Sequence, residues 1–416
     1  MSHHRRLDAD HGGRSADAEE ADASQDWMSV GVDDEVVWET QVAARIPVAD
    51  RNYRYRPSVP AMIAHEPVRL DSRVFSQAED AALALRSADE RVADGASTVP
   101  LLRTESAASS KIEQIEVAQR YIGRALAGLP TKQRSAIEVA DNVRALHSAV
   151  SADLDTLTAT QIHRVHATLL PGEDWSGTPR TVQNWIAGSD YSPRGARYVP
   201  PRPERVPALM DDLAVFANRH DMPAVVQAAI AHAQFETIHP YPDGNGRVGR
   251  ALAHMILRRR GVTIHAIAPL SIAVLAGPAA YLDGLTGYER GDMPGWVSYF
   301  CSACITAAIA TQELSRRLTE LRDEWRLVPQ VANARADAAI GHIIDELTSH
   351  PVCTAAQVSD RLGVSRPAAR GALESLTEAG VLNRTTAARN LKIYEAHEVF
   401  AAIDDVERAV VGRGRQ

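Results

Sequence analysis

The sequence is short of three things, and each shortage excludes a class of protein. Cysteine occurs only three times in 416 residues, too few for a disulfide framework, which points to a reducing compartment and makes the cytoplasm the expected location. No run of about 18 apolar residues is present, and the opening MSHHRRLDADHGGRSADAEEADASQD has no apolar core of the kind a signal peptide needs. Neither a membrane span nor a membrane partner is expected. Surplus positive charge is missing too: 45 Lys and Arg against 53 Asp and Glu give a formal net charge of -8. The chain as a whole is therefore no polyelectrolyte for nucleic acid or anionic lipid, which leaves room only for a local basic patch. What is abundant is apolar residue, 45% of the chain, enough to give a core to each of roughly two to three domains.

The pattern along the chain predicts a mainly α fold. Residues 1–35 are small, polar and mostly acidic, and read as a disordered tail. Between Trp38 and Pro67 the text is strand-like or loop-like, with YRYRPSVP alternating before a proline. Helical spacing of Ala and Leu then runs through 76–93, 105–127, 132–149 and 158–169, and resumes through 205–219, 223–238, 246–260, 278–289 and 293–325. Between the two sets, residues 171–203 are rich in Gly, Pro and Ser with short apolar stretches on either side, which predicts a β-hairpin flap. Residues 336–400 read as a separate unit: helix, helix, tight turn, helix, then two strands around a polar tip. That is the layout of a winged helix-turn-helix, followed by a tail at 401–416. Arg366 and Arg370 fall at the start of its third helix, and Arg384, Arg389 and Lys392 fall in or near the wing, chemistry suited to phosphate contacts. Asp360 and Glu374 dilute the patch, and winged helices serve as protein-binding or dimer modules as well as DNA readers.

The densest chemistry lies in HPYPDGNGRVGR, residues 239–250. Pro240 disfavours helix at the residue before it, so His239 is expected at a helix end, where an imidazole can be presented. Gly244 and Gly246 permit a tight backbone path into the helix RVGRALAHMILRRRG, whose free N–H groups and dipole form an anion site. Arg247 and Arg250, three apart, share a helix face and can reach the same polyanion. Asp243 offers one carboxylate to a Mg²⁺ that keeps its waters and phosphate oxygens. The glycines also satisfy G-x-G-x-x-G, but HPYPD is no strand and no acidic residue closes a later strand, which excludes a Rossmann site. Elsewhere, Cys301 and Cys304 form a lone C-x-x-C in an apolar stretch, read as core, and His254 reads as structural.

The segment resembles the Fic family signature, His-Pro-Phe-x-Asp/Glu-Gly-Asn-Gly-Arg-x-x-Arg, with Tyr241 in place of the phenylalanine. The resemblance implies a Fic-type helical bundle with a β-hairpin flap as a catalytic core over 131–330, preceded by a helical extension at 36–130. It implies a protein adenylyltransferase, moving AMP from ATP to a hydroxyl of a target protein or of the chain itself. His239 would be the general base, Asp243 the Mg²⁺ ligand, Gly244, Asn245 and Gly246 the cradle of the α and β phosphates, and Arg247 and Arg250 the grip on β and γ. Ile186, Ala187, Gly188 and Ser189 would cover the nucleotide, and Tyr281 and Tyr288 fall where the family contacts adenine, core packing being the other reading of those two.

Upstream, Ser110-Lys111-Ile112-Glu113 fits the capping box that starts a helix. Family members commonly carry an inhibitory Ser/Thr-x-x-x-Glu helix in this extension, which Ser109 to Glu113 matches. Glu113 would then pair with Arg250 and hold ATP in an unproductive pose, or position a water for removing AMP. Two other readings remain at this level: an ATP-sensing DNA-binding regulator, and a Fic-fold enzyme transferring another phosphate-linked group. Expected partners are a target Ser, Thr or Tyr hydroxyl, DNA through the C-terminal unit, and a second copy in a homodimer.

Overall fold

A computed structural model of the chain describes residues 27–40, 45–93, 95–152, 154–335, 339–387 and 390–413. Most of the expected disordered tail, and Arg389 of the wing, lie outside the described residues. From Trp27 onward the chain is placed: Trp27 is buried and its ring lies 6.3 Å from that of Tyr288, so the expected tail ends before residue 35.

Two antiparallel ribbons come first. β1 (Gly31–Val32) pairs with β4 (Ser58–Val59), and β2 (Val36–Glu39) pairs with β3 (Asn52–Tyr55), which follows the single turn of α1 (Val48–Arg51). The helical body is α2 (Ser72–Glu90), α3 (Thr98–Ile112), α4 (Gln119–Leu126), α5 (Arg134–Ser151), α6 (Ala159–Leu169), α7 (Val206–Ala217), α8 (Ala224–Ile238), α9 (Asn245–Arg259), α10 (Leu270–Ala276), α11 (Pro278–Glu289) and α12 (Met293–Arg326). Starts follow local chemistry: Asp71 caps α2 by accepting from the Val74 N–H, and Thr158 with Gln161 forms a capping box on α6. The Ala-rich α8 is buried at every position except Glu236, the mark of a central core helix. Two stretches depart from the periodicity. The expected helix 105–127 begins at Thr98 and breaks after Ile112, because Gln114 takes a left-handed φ of 63°. Ser110 to Glu113 is thus the end of a helix and not the capped start its sequence suggests. The apolar α10 was absent from the helical pattern because seven residues are too few to show a period.

α12 joins this body to the rest. It is long and apolar enough to cross a membrane, but 56% of its apolar window is buried in this structure, with Trp296 and Phe300 in one core and Leu314, Leu318 and Trp325 in a second. After the short α13 (Pro329–Ala332) come α14 (Ala339–Glu346), β5 (Val352–Cys353), α15 (Ala355–Leu362), α16 (Arg366–Glu378), β6 (Asn383–Ala387), β7 (Leu391–Glu395) and α17 (His397–Arg413). The strands form one antiparallel sheet in the order β5, β7, β6. α17 replaces the expected C-terminal tail: Val399, Ala402, Ile403 and Val406 pack it into the second core.

The flap differs from the hairpin its composition suggests. In the 170–202 connection the only pairing is an isolated bridge between Ile186 and Tyr198, backed by a hydrogen bond from the Ser189 N–H to the Arg194 carbonyl. Ala187 and Gly188 take φ of 61° and 85°, which turns the backbone out of extended geometry before a ladder can form.

Candidate active site

The site is built at the turn between α8 and α9. His239 ends α8 in the left-handed region, φ 49° and ψ 61°, a conformation with a steric cost for a side chain of this size. Neighbours hold it there. Arg180, buried at 4% exposure, donates from Nε to the His239 carbonyl at 3.0 Å and from its backbone N–H to the Pro240 carbonyl at 2.8 Å. Burial drives the His239 pKa down to about 4, with the Arg180 charge adding to the shift. The imidazole is therefore neutral near pH 7 and free to take a proton.

The turn itself is fixed by side chains. Asn245 accepts from the Tyr241 N–H at 2.9 Å and donates to the Tyr241 carbonyl at 2.8 Å. The carboxamide thus closes the loop from within, with one of its two N–H groups on the Tyr241 carbonyl. Tyr241 stacks on His166 of α6 at 3.8 Å, and its hydroxyl lies 2.7 Å from Nδ1 of His163, one turn earlier. The hydroxyl by which Tyr241 departs from the family phenylalanine thus has its own partner. The Gly177 N–H donates to Nδ1 of His166, so Nε2 carries the proton and donates to the Asp243 carbonyl at 3.2 Å. Burial lowers the His166 pKa to about 4, which keeps that arrangement neutral.

Gly244 then caps α9 with φ 78°, and the first turn of α9 presents its N–H groups beside two buried guanidiniums. Arg247 is 4% exposed; its nearest carboxylate is Asp243, at 3.5 Å, and its Nε has no partner. Arg250, 5% exposed, donates from Nε to the Ser109 hydroxyl at 2.9 Å, and from one terminal nitrogen to the Ser109 carbonyl at 3.0 Å and to Glu113 Oε1 at 2.9 Å. Burial pushes the Glu113 carboxyl up, but Arg250, with help from Arg247, outweighs it and holds the pKa below the usual carboxylate value. Gly246 makes the approach possible: a Cβ there would collide with Glu113 Oε1 and crowd the Arg250 guanidinium. The Glu113 carboxylate thus occupies the space beside the α9 N-terminus that an incoming anion would use.

Asp243 is exposed, with Oδ1 accepting from the Gly244 N–H. No group of three or more His, Cys, Asp or Glu side chains is placed to hold a metal among the described residues. A single open carboxylate beside an anion site fits a cation that brings phosphate and water ligands with it. The flap meets the loop through Asn184, whose amide donates to the Tyr241 carbonyl at 3.0 Å. Its tip is held from the N-terminal ribbons: Asp50 accepts from Ser192 and from both Nε and a terminal nitrogen of Arg194, and Trp38 Nε1 donates to the Tyr191 carbonyl. Residues Ala187, Gly188 and Ser189 line an open cavity of about 340 Å³ there, and Ile186 forms the bridge behind them.

Tyr281 and Tyr288 are not at this surface. Both are buried in the main core, their hydroxyls 2.9 Å from His232 Nε2 and 3.1 Å from Gln234 Oε1. That packing matches the core reading for Tyr288, whereas Tyr281 also lines a small cavity with His232 and Arg250. Cys301, Cys304 and Cys353 are free and buried, and His254 lies 3.2 Å from the buried Glu105, a structural pair. His163, His166 and Arg180 were missed in the sequence. The two histidines, three apart on α6, carried a signal in their shared face; Arg180 carried none.

Residues 156–257 match the Fic/DOC family. A Probable protein adenylyltransferase of Aquifex aeolicus is 43% identical over 89 residues, 21% of this chain and 27% of that protein. A Protein adenylyltransferase of Caenorhabditis elegans is 28% identical over 157 residues, 36% of this chain and 28% of its own. The chain thus spans little more than a quarter of these relatives. The crystal structure of a Fic family protein from Desulfovibrio desulfuricans G20 superposes over 80% of this chain and 98% of its own with a TM-score of 0.52 at 21% identity, a likeness of fold. The loop from His239 to Arg250 accordingly lies within the residues that match the Fic/DOC family.

Proposed function

We propose that the chain is a protein adenylyltransferase held in check by its own Glu113. The observation that carries this is the convergence, within one turn and one helix start, of a neutral His239, the open N–H groups of α9 and the buried Arg247 and Arg250. In the proposed reaction a Ser, Thr or Tyr hydroxyl oxygen of the target attacks the α-phosphorus of ATP. The bond from that phosphorus to the bridging oxygen breaks, pyrophosphate leaves, and the hydroxyl proton passes to His239. The α9 N-terminus and Arg247 receive phosphate charge, and preorganised donors of this kind are worth ~10²–10³ each in rate. Arg250 would grip the terminal phosphate once Glu113 releases it. Asp243 would hold Mg²⁺, which when bound supplies charge neutralisation at the phosphate oxygens.

The test is incubation with Mg²⁺ and either α-labelled or γ-labelled ATP. Label carried from the α position by the wild type, and lost in His239→Ala, supports adenylyl transfer; γ label would instead mean phosphorylation. Neither label, in wild type or in Glu113→Gly, would sink the reading.

We read the C-terminal unit as a winged helix. Lys392 and Arg384 are spent on Glu374, whereas Arg366 and Arg370 at the start of α16 are exposed with no ion pair among the described residues. These two are the groups we expect on DNA phosphates, and Arg366→Glu with Arg370→Glu should flatten the salt dependence of duplex binding by roughly two phosphate contacts. The reducing chemistry of three free, buried cysteines supports a cytoplasmic setting.

A further inference from the structure

A cavity of about 490 Å³ lies between α3, α4 and α5 on one side and the Ser349–Val352 turn with α15 on the other. That is within the ~300–1,000 Å³ typical of small-molecule sites. Leu102, Leu126, Val143 and Val352 give it apolar walls, and no Asp or Glu lines it. The cations around it are not equivalent. Arg144 is paired with Asp141, and Arg361 with Glu346. Arg103, in the middle of α3, has no carboxylate within ion-pair distance among the described residues. It is 1% exposed, donates only to the Gln119 carbonyl and side chain, rests 5.2 Å over the Phe400 ring, and leaves Nε without a partner. Burial lowers its pKa to about 10, so it is still a cation at neutral pH. Of the carboxylates only Asp404 acts on it, from beyond ion-pair distance, and a buried cation with no direct counter-ion is costly unless something else supplies the charge.

We propose that this cavity binds a small organic anion, a carboxylate on an apolar body, with the carboxylate on Arg103 and the body on Leu102, Leu126, Val143 and Val352. One monocation without an ion pair, between apolar walls, matches a monoanion with apolar bulk better than it matches inorganic phosphate, which would bring up to two charges and no apolar surface. The site sits on the helix that ends at the Glu113–Arg250 pair. Arg103 and Glu113 are ten residues apart, about 15 Å along one rigid rod. A ligand that fixes α3 therefore acts on the contact that covers the α9 N-terminus. This coupling rests on the reading of Glu113 as a brake; the binding site does not.

The test uses the full chain, titrated calorimetrically with octanoate and separately with octanol, the same body without the charge. Saturable binding of octanoate, about tenfold or more tighter than octanol, is expected. Arg103→Met should abolish that preference. Because a buried substitution can disturb folding, Val99→Trp, at the half-buried edge of the cavity, is the second variant, and it should block both ligands without moving the thermal melt of the free protein. Equal affinity for octanoate and octanol, absence of saturable binding, or binding unchanged in both variants would overturn the site. Hydrogen exchange of the α3 amides should slow on octanoate addition; unchanged exchange with intact binding would overturn the coupling. Neither measurement depends on adenylyl transfer, so failure of that activity is read separately.

Discussion

The loop from Pro240 to Asn245 and the flap from Gln183 to Tyr198 adjoin one another through Asn184, yet they are secured in opposite ways. Four separate groups fix the loop from different parts of the chain: Asn245 from within, His163 and His166 from α6, and Arg180 from the flap base. All but His163 are buried at 5% exposure or less. The flap holds one bridge, and its tip leans on side chains of the N-terminal segment, Trp38 on the Tyr191 carbonyl and Asp50 on Ser192 and on Arg194, the last 47% exposed at that contact. A phosphate has one shape, so its receptor gains from being rigid before the ligand arrives. A cover must admit and release what it covers, and is drawn from the weakly held part of the fold.

The sharpest way to break this comparison is at the base. His239→Ala leaves the α8 and α9 scaffold standing, because the loop is held by other residues, and should lower α-label incorporation by ~10²–10⁴ with the melting temperature little changed. A large drop in melting temperature would mean that His239 itself holds the loop. The next effect is of opposite sign. Glu113→Gly removes the carboxylate from the space beside Gly246 and frees Arg250 for phosphate. The pair is half open to solvent on the Glu113 side, 35% exposed, so screening limits its strength, and a rise on the order of tenfold in self-incorporation of label is expected. Equal rates in wild type and variant would show that the rigid receptor is already open.

The same contrast governs what could be read in the sequence. The loop was legible because its chemistry is written in consecutive residues: a proline that ends a helix, glycines where a side chain would block, and arginines on one face. Its supports were not, because they arrive from 59 residues away in the case of Arg180, 77 for His166 and 137 for Glu113, and a chain carries no mark of which distant side chain will fold back. Glu113 stood out only through a family likeness; its local pattern pointed to a helix start where the structure has a helix end. For the flap, Gly, Pro and Ser signalled a turn correctly, but the left-handed pair Ala187–Gly188 shortened the expected strands to a bridge. Tyr288 shows the converse limit, since the family likeness placed it near the site while its hydroxyl meets Gln234 in the core.

On the flap side, Asp50→Asn removes the carboxylate that joins Ser192 and Arg194 and should loosen the tip without touching the base or the arginines. The expected signature is a rise in KM for ATP of about threefold with kcat preserved, as when binding common to ground and transition states is lost. A fall in kcat with KM unchanged would mean that the flap shapes the transition state, and the two regions would no longer differ in kind.

The smallest expected effect is on the acid side of the pH profile, and it tests whether the receptor is as dry as its packing implies. An imidazole at its ordinary pKa of 6.5 would be mostly protonated at pH 5.5, and a rate depending on its neutral form would fall about tenfold from pH 7.5. With burial holding His239 near 4, most of the base stays neutral at pH 5.5, and the rate of Glu113→Gly, in which the brake is absent, should stay within about twofold. The same burial acts on stability. His166 near 4 and His232 near 3 are also depressed by burial, so as pH falls below about 6.5 the unfolded chain takes up protons that the folded one refuses. Folding free energy is lost progressively from there downward. A melting temperature that declines between pH 6.5 and 4.5 while the rate per folded molecule holds is the outcome expected. A rate that falls with an apparent pKa near 6.5 would mean that water reaches His239 freely and that the loop is no drier than the flap.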